Sequence, residues 1–406
     1  MTLAHLPLRT RGTPSRTPRL TAAAALLACL TCVAPRAALA AVDCSTLPSP
    51  IYGIGGSAHK PLIARFAGAL AATNAAYTVV YQAPGACVCI NTLIGNTKLA
   101  GGSTASYWDA AGKEQQCTIP LAGVSATWGN MGNTATSCPG IASLPTHIGD
   151  FPGSVSTVNF IVPNASTQQS ISAEAAYFVY GFGAAGRVSP WVDETVLGRR
   201  DANSYVTTFL SIALHIPPGS FKGVDTKSNT GTVSLLSTAA TPEAAVGAVS
   251  GDVADANRAS VRTLAYQHFG QSCGYWPDST STAFDKINVR EGQYYFWSPT
   301  HFFSYVDANG KITDASTAAF IDLVTGKTPV AGIDTLSLQI QSGTVPQCAM
   351  HVRRDGDLTP IQSFQPAAPC VCTFEKIATG ATACKACQTN ADCGAGACRN
   401  SYCEVQ

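Results

Sequence analysis

The chain has 406 residues, of which 46% are hydrophobic and only 12% are charged, and its formal net charge is +1. Residues 1–40 carry five arginines and no acid, so the rest of the chain holds 20 basic and 24 acidic side chains. This balance leaves no basic stripe and argues against a nucleic-acid partner. The length suffices for two ordinary domains.

Residues 1–40 are predicted to be a secretory signal peptide. The apolar run "LTAAAALLACLTCVA" (20–34) is too short for a good transmembrane helix, and "ALA" (38–40) suits signal peptidase. No other stretch qualifies, so we expect a mature chain without a transmembrane span, in the periplasm or outside the cell. As an alternative, "LLAC" (26–29) is close to a lipoprotein cleavage box and would leave a lipid anchor on Cys29.

Short apolar runs alternate with helix-like segments along the body of the chain. This alternation predicts an α/β fold with its sheets covered on both faces. The predicted strands are 77–82 and 158–163, and the predicted helices are 61–73, 172–183, 204–216 and 316–326.

Fourteen cysteines follow the signal segment, and we expect all of them to form disulfides in an exported chain. Both the body and the tail hold an odd number, so one bridge should join them, from Cys348 to Cys370 or Cys372. The tail spacing could also suit zinc, but the tail has no histidine, and we expect no metal. The body cysteines are Cys44, Cys87, Cys89, Cys117, Cys138, Cys273 and Cys348, and the tail cysteines are Cys370, Cys372, Cys384, Cys387, Cys393, Cys398 and Cys403.

The stretch "IYGIGGSAHKPLIARFAGAL" (51–70) places several glycines directly before a predicted helix. Glycine allows sharp turns and close approach to the backbone, and a helix start exposes unpaired N–H groups. Two interpretations remain open. Ser57 either caps a tight strand-to-helix turn, or the turn is a seat for an anion.

The order of segments over residues 48–330 resembles the periplasmic phosphate-binding proteins of ABC transporters, within the type 2 periplasmic binding superfamily. The motif G-x-G-x-[ST]-x-x-x-P is matched at the first helix, a strand ending in Tyr-Gln precedes a glycine turn, and a Val-Pro strand precedes an aromatic helix. The matching positions are Gly53, Gly55, Ser57 and Pro61, then Tyr81, Gln82 and Gly85, then the stretches 160–201 and 242–250.

The resemblance implies a two-lobed type 2 periplasmic-binding-protein fold whose crossover strands let two α/β lobes close on a ligand. The tail has no counterpart in that family, and disulfides must hold it together because it has little apolar material. The predicted divisions are 41–150 for the first part of lobe one, 151–250 for lobe two, 251–365 for the return to lobe one, and 366–406 for the cysteine-rich tail.

The same resemblance implies the ligand-binding residues. The Ser57 hydroxyl and the Ala58 N–H would face an anion from lobe one, while Ser204 and the Tyr205 N–H would face it from a second helix start. Arg200 would supply a bidentate charge. Further candidates are Thr104, Gly56, His59 and Arg199, the last because Arg199-x-Asp201 copies a family Arg-x-Asp.

Departures from the family pattern predict a different ligand. Ala86 stands where the family has a serine, Thr104 where it has the aspartate that accepts the proton of hydrogen phosphate, and Tyr205-Val206 where it has Gly-Thr. A neutral hydroxyl cannot make that selection. We therefore expect weak phosphate binding and a larger anion, such as an organophosphate or a carboxylate, unless Asp109 replaces the missing acid.

The leading hypothesis is a non-enzymatic solute-binding protein without a cofactor, which holds a small anion and serves an ABC permease or a cell-surface partner. An alternative is an extracellular adhesion or interaction protein that uses the fold as a scaffold and the tail as its contact module. A third option is a secreted hydrolase, because "GQSCG" (270–274) matches a nucleophile elbow around Ser272. The helix-like segment 261–269 before it argues against that option.

Overall fold

A computed structural model describes residues 42–394 and 396–404, which form one compact unit. The predicted signal peptide, with the alternative lipid anchor at Cys29, lies outside these residues. Among the described residues, none of the helices has both the length and the hydropathy to cross a membrane.

The unit contains ten α-helices and twenty short or long strands among the described residues. The helices are α1 (Lys60–Ala72), α2 (Ala86–Ile94), α3 (Ala173–Phe182), α4 (Tyr205–Leu214), α5 (Asn229–Ser237), α6 (Gly251–Ala256), α7 (Ile287–Arg290), α8 (Ala315–Val324), α9 (Thr335–Gln341) and α10 (Val371–Thr379). The strands are β1 (Val42–Asp43), β2 (Pro50–Gly55), β3 (Thr78–Gln82), β4 (Lys98–Leu99), β5 (Thr104–Trp108), β6 (Glu114–Thr118), β7 (Val124–Ser125), β8 (Trp128–Met131), β9 (Ile148–Pro163), β10 (Ser170–Ser172), β11 (Leu197–Arg199), β12 (Val224–Asp225), β13 (Val246–Ser250), β14 (Val261–Thr263), β15 (Ala265–Gln267), β16 (Trp297–Tyr305), β17 (Val352–Arg353), β18 (Gln362–Ser363), β19 (Ala397–Arg399) and β20 (Tyr402–Glu404).

One continuous sheet runs through the body in the order β1-β6-β5-β3-β2-β8-β16-β9-β13-β11-β12, with β14 also paired to β9. The 16-residue strand β9 pairs with β16 along its first part and with β13 and β14 along its second part. We call the side that holds β1–β8 lobe one and the side that holds β11–β14 lobe two. The α/β, two-lobed fold with crossover strands predicted from the sequence is confirmed.

Helix α1 shows why these elements form where they do. Pro61 lies in its first turn, where the missing N–H costs no hydrogen bond. Ile63, Phe66 and Leu70 follow at helical spacing and are buried. They pack under the sheet against a core that includes Trp128. Each such buried side chain contributes about 1.5–3 kcal/mol to the free energy of folding.

The predicted strands and helices fall on β3, β9, α1, α3, α4 and α8, and are confirmed. The helical interpretation of 261–269 is wrong, because the segment forms β14 and β15. β14 pairs with β9, and β15 pairs with β10. The conformation of this segment depends on its pairing with distant strands, which cannot be inferred from the local pattern of apolar residues.

Six disulfides link the described cysteines, and Cys348–Cys370 is the expected bridge between body and tail. The expectation that every cysteine is paired is wrong, because Cys89 is a buried free thiol and Cys273 an exposed one. Cys89 follows Cys87 by two residues on α2, so the two side chains point to different faces of the helix. The other bridges are Cys44–Cys117, Cys87–Cys138, Cys372–Cys384, Cys387–Cys398 and Cys393–Cys403.

The cysteine-rich tail packs on the body through α10. Phe374 is buried, with the Arg290 guanidinium 5.2 Å from its ring, and Arg290 also pairs with Glu375 at 3.2 Å. The buried Glu404 carboxylate accepts hydrogen bonds of 2.9 Å from the Cys372 and Thr373 N–H groups at the start of α10. The last strand of the tail therefore caps its helix.

Candidate functional site

The two lobes meet closely where α2 and α4 begin. Gly85 precedes α2 with a φ of 148°, a conformation that favours glycine. The Cys87 N–H, in the first turn of α2, donates a 3.1 Å hydrogen bond to the carbonyl oxygen of Asn203, just before α4. One of the donors at the start of α2 is thus satisfied by backbone from lobe two. We call this region, with the rings described next, the sealed contact.

His59 and Tyr205 pack against each other in the sealed contact. Both are 2% exposed, and their ring centroids are 5.3 Å apart. The two rings lie over Gly132, where an added Cβ would be 2.5 Å from His59 Cε1 and 2.6 Å from Tyr205 Cε2. Glycine at position 132 therefore makes room for both rings.

The sealed contact carries no formal charge at neutral pH. Burial, assisted by the nearby His301, lowers the pKa of His59 to about 3. Burial also raises the pKa of Tyr205, so both side chains stay neutral. His59 Nε2 lies 3.3 Å from Ser156 Oγ, while Nδ1 has no hydrogen-bond partner among the described residues.

The predicted seats at this contact are buried. Ala58 and Ser204 are each 5% exposed, and the Ser204 N–H donates to the Asp201 carbonyl oxygen at 3.1 Å. Gly56 is held on both sides, because its N–H donates to the Asn130 carbonyl oxygen and its own carbonyl accepts from Tyr81 Oη. Burial of Ala58, Ser204 and Tyr205 therefore leaves no space at these helix starts for an anion as small as phosphate in this form of the molecule.

Arg200 points into lobe two. Its guanidinium donates to Asn229 Oδ1 at 2.8 Å and to the Lys227 carbonyl oxygen at 3.0 Å, and burial lowers its pKa from the usual arginine value. Asn229 Nδ2 in turn donates to Ser250 Oγ at 2.8 Å. Arg200 therefore fixes the orientation of Asn229. Arg199 is bound differently, because its Nε donates to the Gly223 carbonyl oxygen at 3.1 Å.

A second, open contact between the lobes is a cavity of about 370 Å³. It brings together two features that the sequence predicted separately, since Ser57 lies on one wall and Asn229, the partner of Arg200, lies on the other. We call it the interlobe cavity. Lobe one contributes Ser57, Lys60, Pro61, Ala64 and Glu114, and lobe two contributes Ser228, Asn229, Thr230 and Val253.

The lobe-two wall of the interlobe cavity is the start of α5. Ser228 caps this helix, because its Oγ accepts a 2.9 Å hydrogen bond from the Gly231 N–H. A helix start carries a partial positive charge and exposes N–H groups. Asn229 and Thr230 occupy the first two helical positions. Their side chains therefore lie next to the exposed N–H groups at this end of the cavity.

The lobe-one wall carries an ion pair. Lys60 Nζ lies 2.6 Å from Glu114 Oε1, and both side chains are partly exposed. Partial burial disfavours ionised Glu114, but hydrogen bonds from Lys60 and Ser106 outweigh it and lower the pKa of Glu114. Lys60 thus lies at the cavity wall in an ion pair with Glu114. An incoming anion would compete with the Glu114 carboxylate for the Lys60 ammonium group.

Thr104 lies apart from the interlobe cavity. It is exposed at the start of β5, and its carbonyl oxygen accepts a 2.8 Å hydrogen bond from Gln82 Nε2. Asp109, the alternative acid, accepts hydrogen bonds of 3.0 Å from the Ala111 and Lys113 N–H groups in the turn after β5. Replacement of the missing family aspartate by Asp109 would require this turn to open.

Two other motifs lack the context that their chemistry needs. Ser272 is exposed after β15, and no helix begins until α7, so the strand–turn–helix of a nucleophile elbow is absent there. Among the described residues, the one group of three donor atoms close enough to hold a metal is Cys387, Cys393 and Cys398. All three are in disulfides.

Sequence reasoning missed Lys60 and the start of α5. A signal for the second was present, because "KSNTG" (227–231) places a serine N-cap before a helix. Lys60 is a variable position inside the family motif, directly before Pro61, and only the fold shows that it faces α5 across the lobes.

No protein-family model and no curated protein matches the chain. A solved structure from Clostridium perfringens, assigned as a phosphate ABC transporter substrate-binding protein and holding phosphate, is 10% identical with a TM-score of 0.51, over 73% of this chain and 99% of that one. An ABC-type phosphate transport receptor from Vibrio cholerae is 13% identical with a TM-score of 0.47, over 73% and 100% of the two chains. The first likeness confirms the fold predicted from the sequence resemblance.

Proposed function

We propose that this chain is an exported, non-enzymatic solute-binding protein that closes its two lobes on a small organic anion in the interlobe cavity. One observation carries the proposal: the cavity is lined from both lobes and places Ser57, Lys60 and the start of α5 around one space. Closure of two lobes over a ligand buries most of its surface, as small-molecule sites require. The fold shared with the phosphate-holding protein from Clostridium perfringens supports the same class of function.

We infer that the polar groups of the cavity hold the charged end of an organic anion, while the larger, apolar part of the exposed lining faces its body. Lys60 supplies a full positive charge, the start of α5 supplies a partial one, and Ser57 supplies a hydroxyl from the opposite wall. Arg200 acts through Asn229 as a positioning residue, since its guanidinium holds the Asn229 side chain. Charge-assisted hydrogen bonds of this kind are about twice as strong as neutral ones.

The size and surroundings of the cavity favour an anion larger than phosphate. A volume of about 370 Å³ accommodates an organophosphate or an organic carboxylate. At the sealed contact, where the family resemblance would seat phosphate, the Cys87 N–H is already bonded to Asn203. The predicted residues Ala58, Ser204 and Tyr205 remain candidates for an open form in which that contact is broken.

The proposal includes a place of action. We infer a periplasmic or extracellular location, with delivery of the ligand to an ABC permease. Six disulfides within the described residues are consistent with an oxidising compartment. Intact-mass analysis of the exported protein checks this, and the expected N-terminus is Ala41 without a lipid.

Calorimetry with the purified mature protein tests the ligand class. The panel is inorganic phosphate, sulfate, glycerol 3-phosphate and citrate, together with any anion that native mass spectrometry finds bound. We expect an organic anion to bind more tightly than phosphate. Submicromolar phosphate binding with rejection of sulfate would contradict the proposal.

Substitution of the cavity lysine tests the location. Lys60→Gln should weaken the tightest-binding anion of the panel about tenfold, because one charge-assisted contact is lost. The matched control is Lys98→Gln, an exposed lysine on β4 that lies outside the cavity. Equal effects of the two substitutions would place the anion elsewhere.

A further inference from the structure

A second cavity, of about 380 Å³, lies between the crossover strands and the chain segment that follows α9. It shares no residue with the interlobe cavity. One wall is formed by β9 and β16, and the other by residues 347–364, which include β17. We call it the hinge cavity, because β9 and β16 join the two lobes.

Arg354 lines the hinge cavity as a partly buried cation. Its guanidinium lies 4.3 Å from the Trp297 ring centroid and 5.1 Å from that of Tyr295. Nη1 donates to the carbonyl oxygens of Tyr295 and Trp297 at 2.9 and 2.8 Å, while Nε is buried without a partner among the described residues. Burial lowers the pKa of Arg354 to about 10, which still leaves it charged at neutral pH.

No carboxylate of the described residues pairs with Arg354 within 4.0 Å. The nearby acid, Asp357, is committed elsewhere. Its Oδ2 accepts from the Thr134 N–H and hydroxyl at 2.8 and 2.6 Å, and its Oδ1 accepts from Ser298 Oγ at 3.0 Å. The charge of Asp357 acts on Arg354 without a hydrogen bond, so the guanidinium can still pair with an anion in the cavity.

The residues beside Arg354 supply further polar atoms. Trp297 Nε1 and His301 Nε2 are buried without partners among the described residues. His301 Nδ1 lies 2.8 and 2.9 Å from the two carboxylate oxygens of Asp150, which fixes the orientation of the imidazole ring. These two atoms have almost no accessible surface, so the free donor that faces the cavity is Nη2 of the Arg354 guanidinium, which makes no hydrogen bond among the described residues.

The rest of the lining combines apolar side chains with polar ones, among them the exposed acids Asp150 and Asp355 and the exposed Arg353. The acids disfavour an anion with two charges, and the apolar lining favours a hydrocarbon body. The apolar lining residues are Pro152, Val155, Pro299, Met350, Val352 and Phe364.

We propose that the hinge cavity is a second ligand site, which binds a small organic monocarboxylate with an apolar body through Arg354. The carboxylate pairs with the guanidinium over Trp297, and the apolar body lies against the proline, valine and methionine side chains. Because this cavity touches both crossover strands, its ligand bears on the part of the molecule that joins the lobes.

Phenylacetate is the probe for this site, and phenylacetamide is its neutral match. The mature protein, labelled with ¹⁵N at its tryptophans, is titrated with each while the indole resonances are followed, and Trp297→Phe identifies the resonance of Trp297. We expect phenylacetate to shift that resonance saturably and to bind at least tenfold more tightly than the amide. Equal responses to acid and amide, or no saturable shift, would overturn the proposal.

Two arginines form a matched pair of variants. Arg354→Gln should weaken phenylacetate at least tenfold, whereas Arg187→Gln, which removes an exposed charge outside the cavity, should change its affinity less than threefold. Lys60→Gln should leave phenylacetate binding unchanged, which separates this site from the interlobe cavity. If Arg354→Gln does not fold, the comparison of acid and amide on the unsubstituted protein still decides. An equal loss in both arginine variants would contradict a specific pairing with Arg354.

Discussion

Two regions between the lobes have opposite character. In the sealed contact, His59 and Tyr205 fill the space over Gly132, and the start of α2 is bonded to the Asn203 carbonyl. In the interlobe cavity, the start of α5 faces Lys60 across about 370 Å³ of space. Both places are built from helix starts, yet only the second leaves room for a ligand.

The difference teaches that a helix start is a seat for an anion only where nothing from the protein occupies it. At the sealed contact a backbone carbonyl oxygen accepts from the Cys87 N–H, which is the role an anion oxygen would take. At α5 the serine cap accounts for the Gly231 N–H. Substitutions at the sealed contact should therefore change the stability of the fold, whereas substitutions at the interlobe cavity should change ligand affinity.

The largest effect is expected at the sealed contact. Gly132→Ala should lower the free energy of unfolding by about 3 kcal/mol, because the new methyl group meets both His59 and Tyr205. Urea unfolding measures the change. The control is Gly219→Ala, where an added Cβ has nothing within 4 Å. Similar stability of the two variants would show that the rings over Gly132 move freely.

The next effect is expected on ligand affinity at the interlobe cavity. Arg200→Gln should weaken the tightest-binding anion of the calorimetric panel about tenfold, because Asn229 loses the donor that fixes its orientation at the cavity wall. Arg199→Gln is the matched control, and we expect at most a threefold change. A larger loss in the Arg199 variant would mean that Arg199-x-Asp201 is the motif that carries the ligand charge.

A pH effect is expected from His59. Its folded pKa of about 3 lies below the ordinary histidine value of 6.5, so its contribution to stability is present above pH 6.5 and is lost as the pH falls toward 3. The slope is about 1.4 kcal/mol for each pH unit. Asp252, whose pKa burial raises to about 7, contributes with the opposite sign.

The difference between unsubstituted protein and His59→Gln isolates the histidine. Urea unfolding of both proteins from about pH 7 to about pH 4 should show a steeper loss of stability when His59 is present, because only the unfolded histidine takes up a proton there. Parallel curves would mean that water reaches His59 in the folded protein.

The smallest effect is expected at Thr104. Thr104→Ala should change anion affinity by no more than about twofold, since an exposed side chain away from the cavity contributes within about 0.5 kcal/mol. Calorimetry with the same panel measures it. A tenfold loss would return Thr104 to the ligand site that the family resemblance implies.

The sequence predicted six elements correctly and, through the family resemblance, the two-lobed fold, but it assigned a helix to residues 261–269, where β14 and β15 form. Ser57 begins the short helical turn before α1 without capping it, and it lines the interlobe cavity, but its role in ligand binding stays a prediction. The sequence did not reveal that Tyr205 fills the space beside His59, or that Asn203 occupies the start of α2. Those contacts join residues more than a hundred positions apart, and no periodicity records them.

The free thiols show the same limit. Counting cysteines predicted complete pairing, but pairing depends on which helix face each side chain occupies. Cys87 reaches Cys138, whereas Cys89 lies under the sheet beside Gly129. Burial raises the pKa of Cys89 to about 12, so it stays a thiol.

The unbroken strand β9 has a mechanical consequence. It belongs to both lobes and is hydrogen-bonded to β16 over most of its first part, so the lobes cannot slide apart without breaking that ladder. Any opening must instead be a rotation in which both strands flex together. Such a rotation would break the contacts at the sealed contact, namely the Cys87–Asn203 hydrogen bond and the packing of His59 against Tyr205. These contacts would therefore stabilise the closed form against opening.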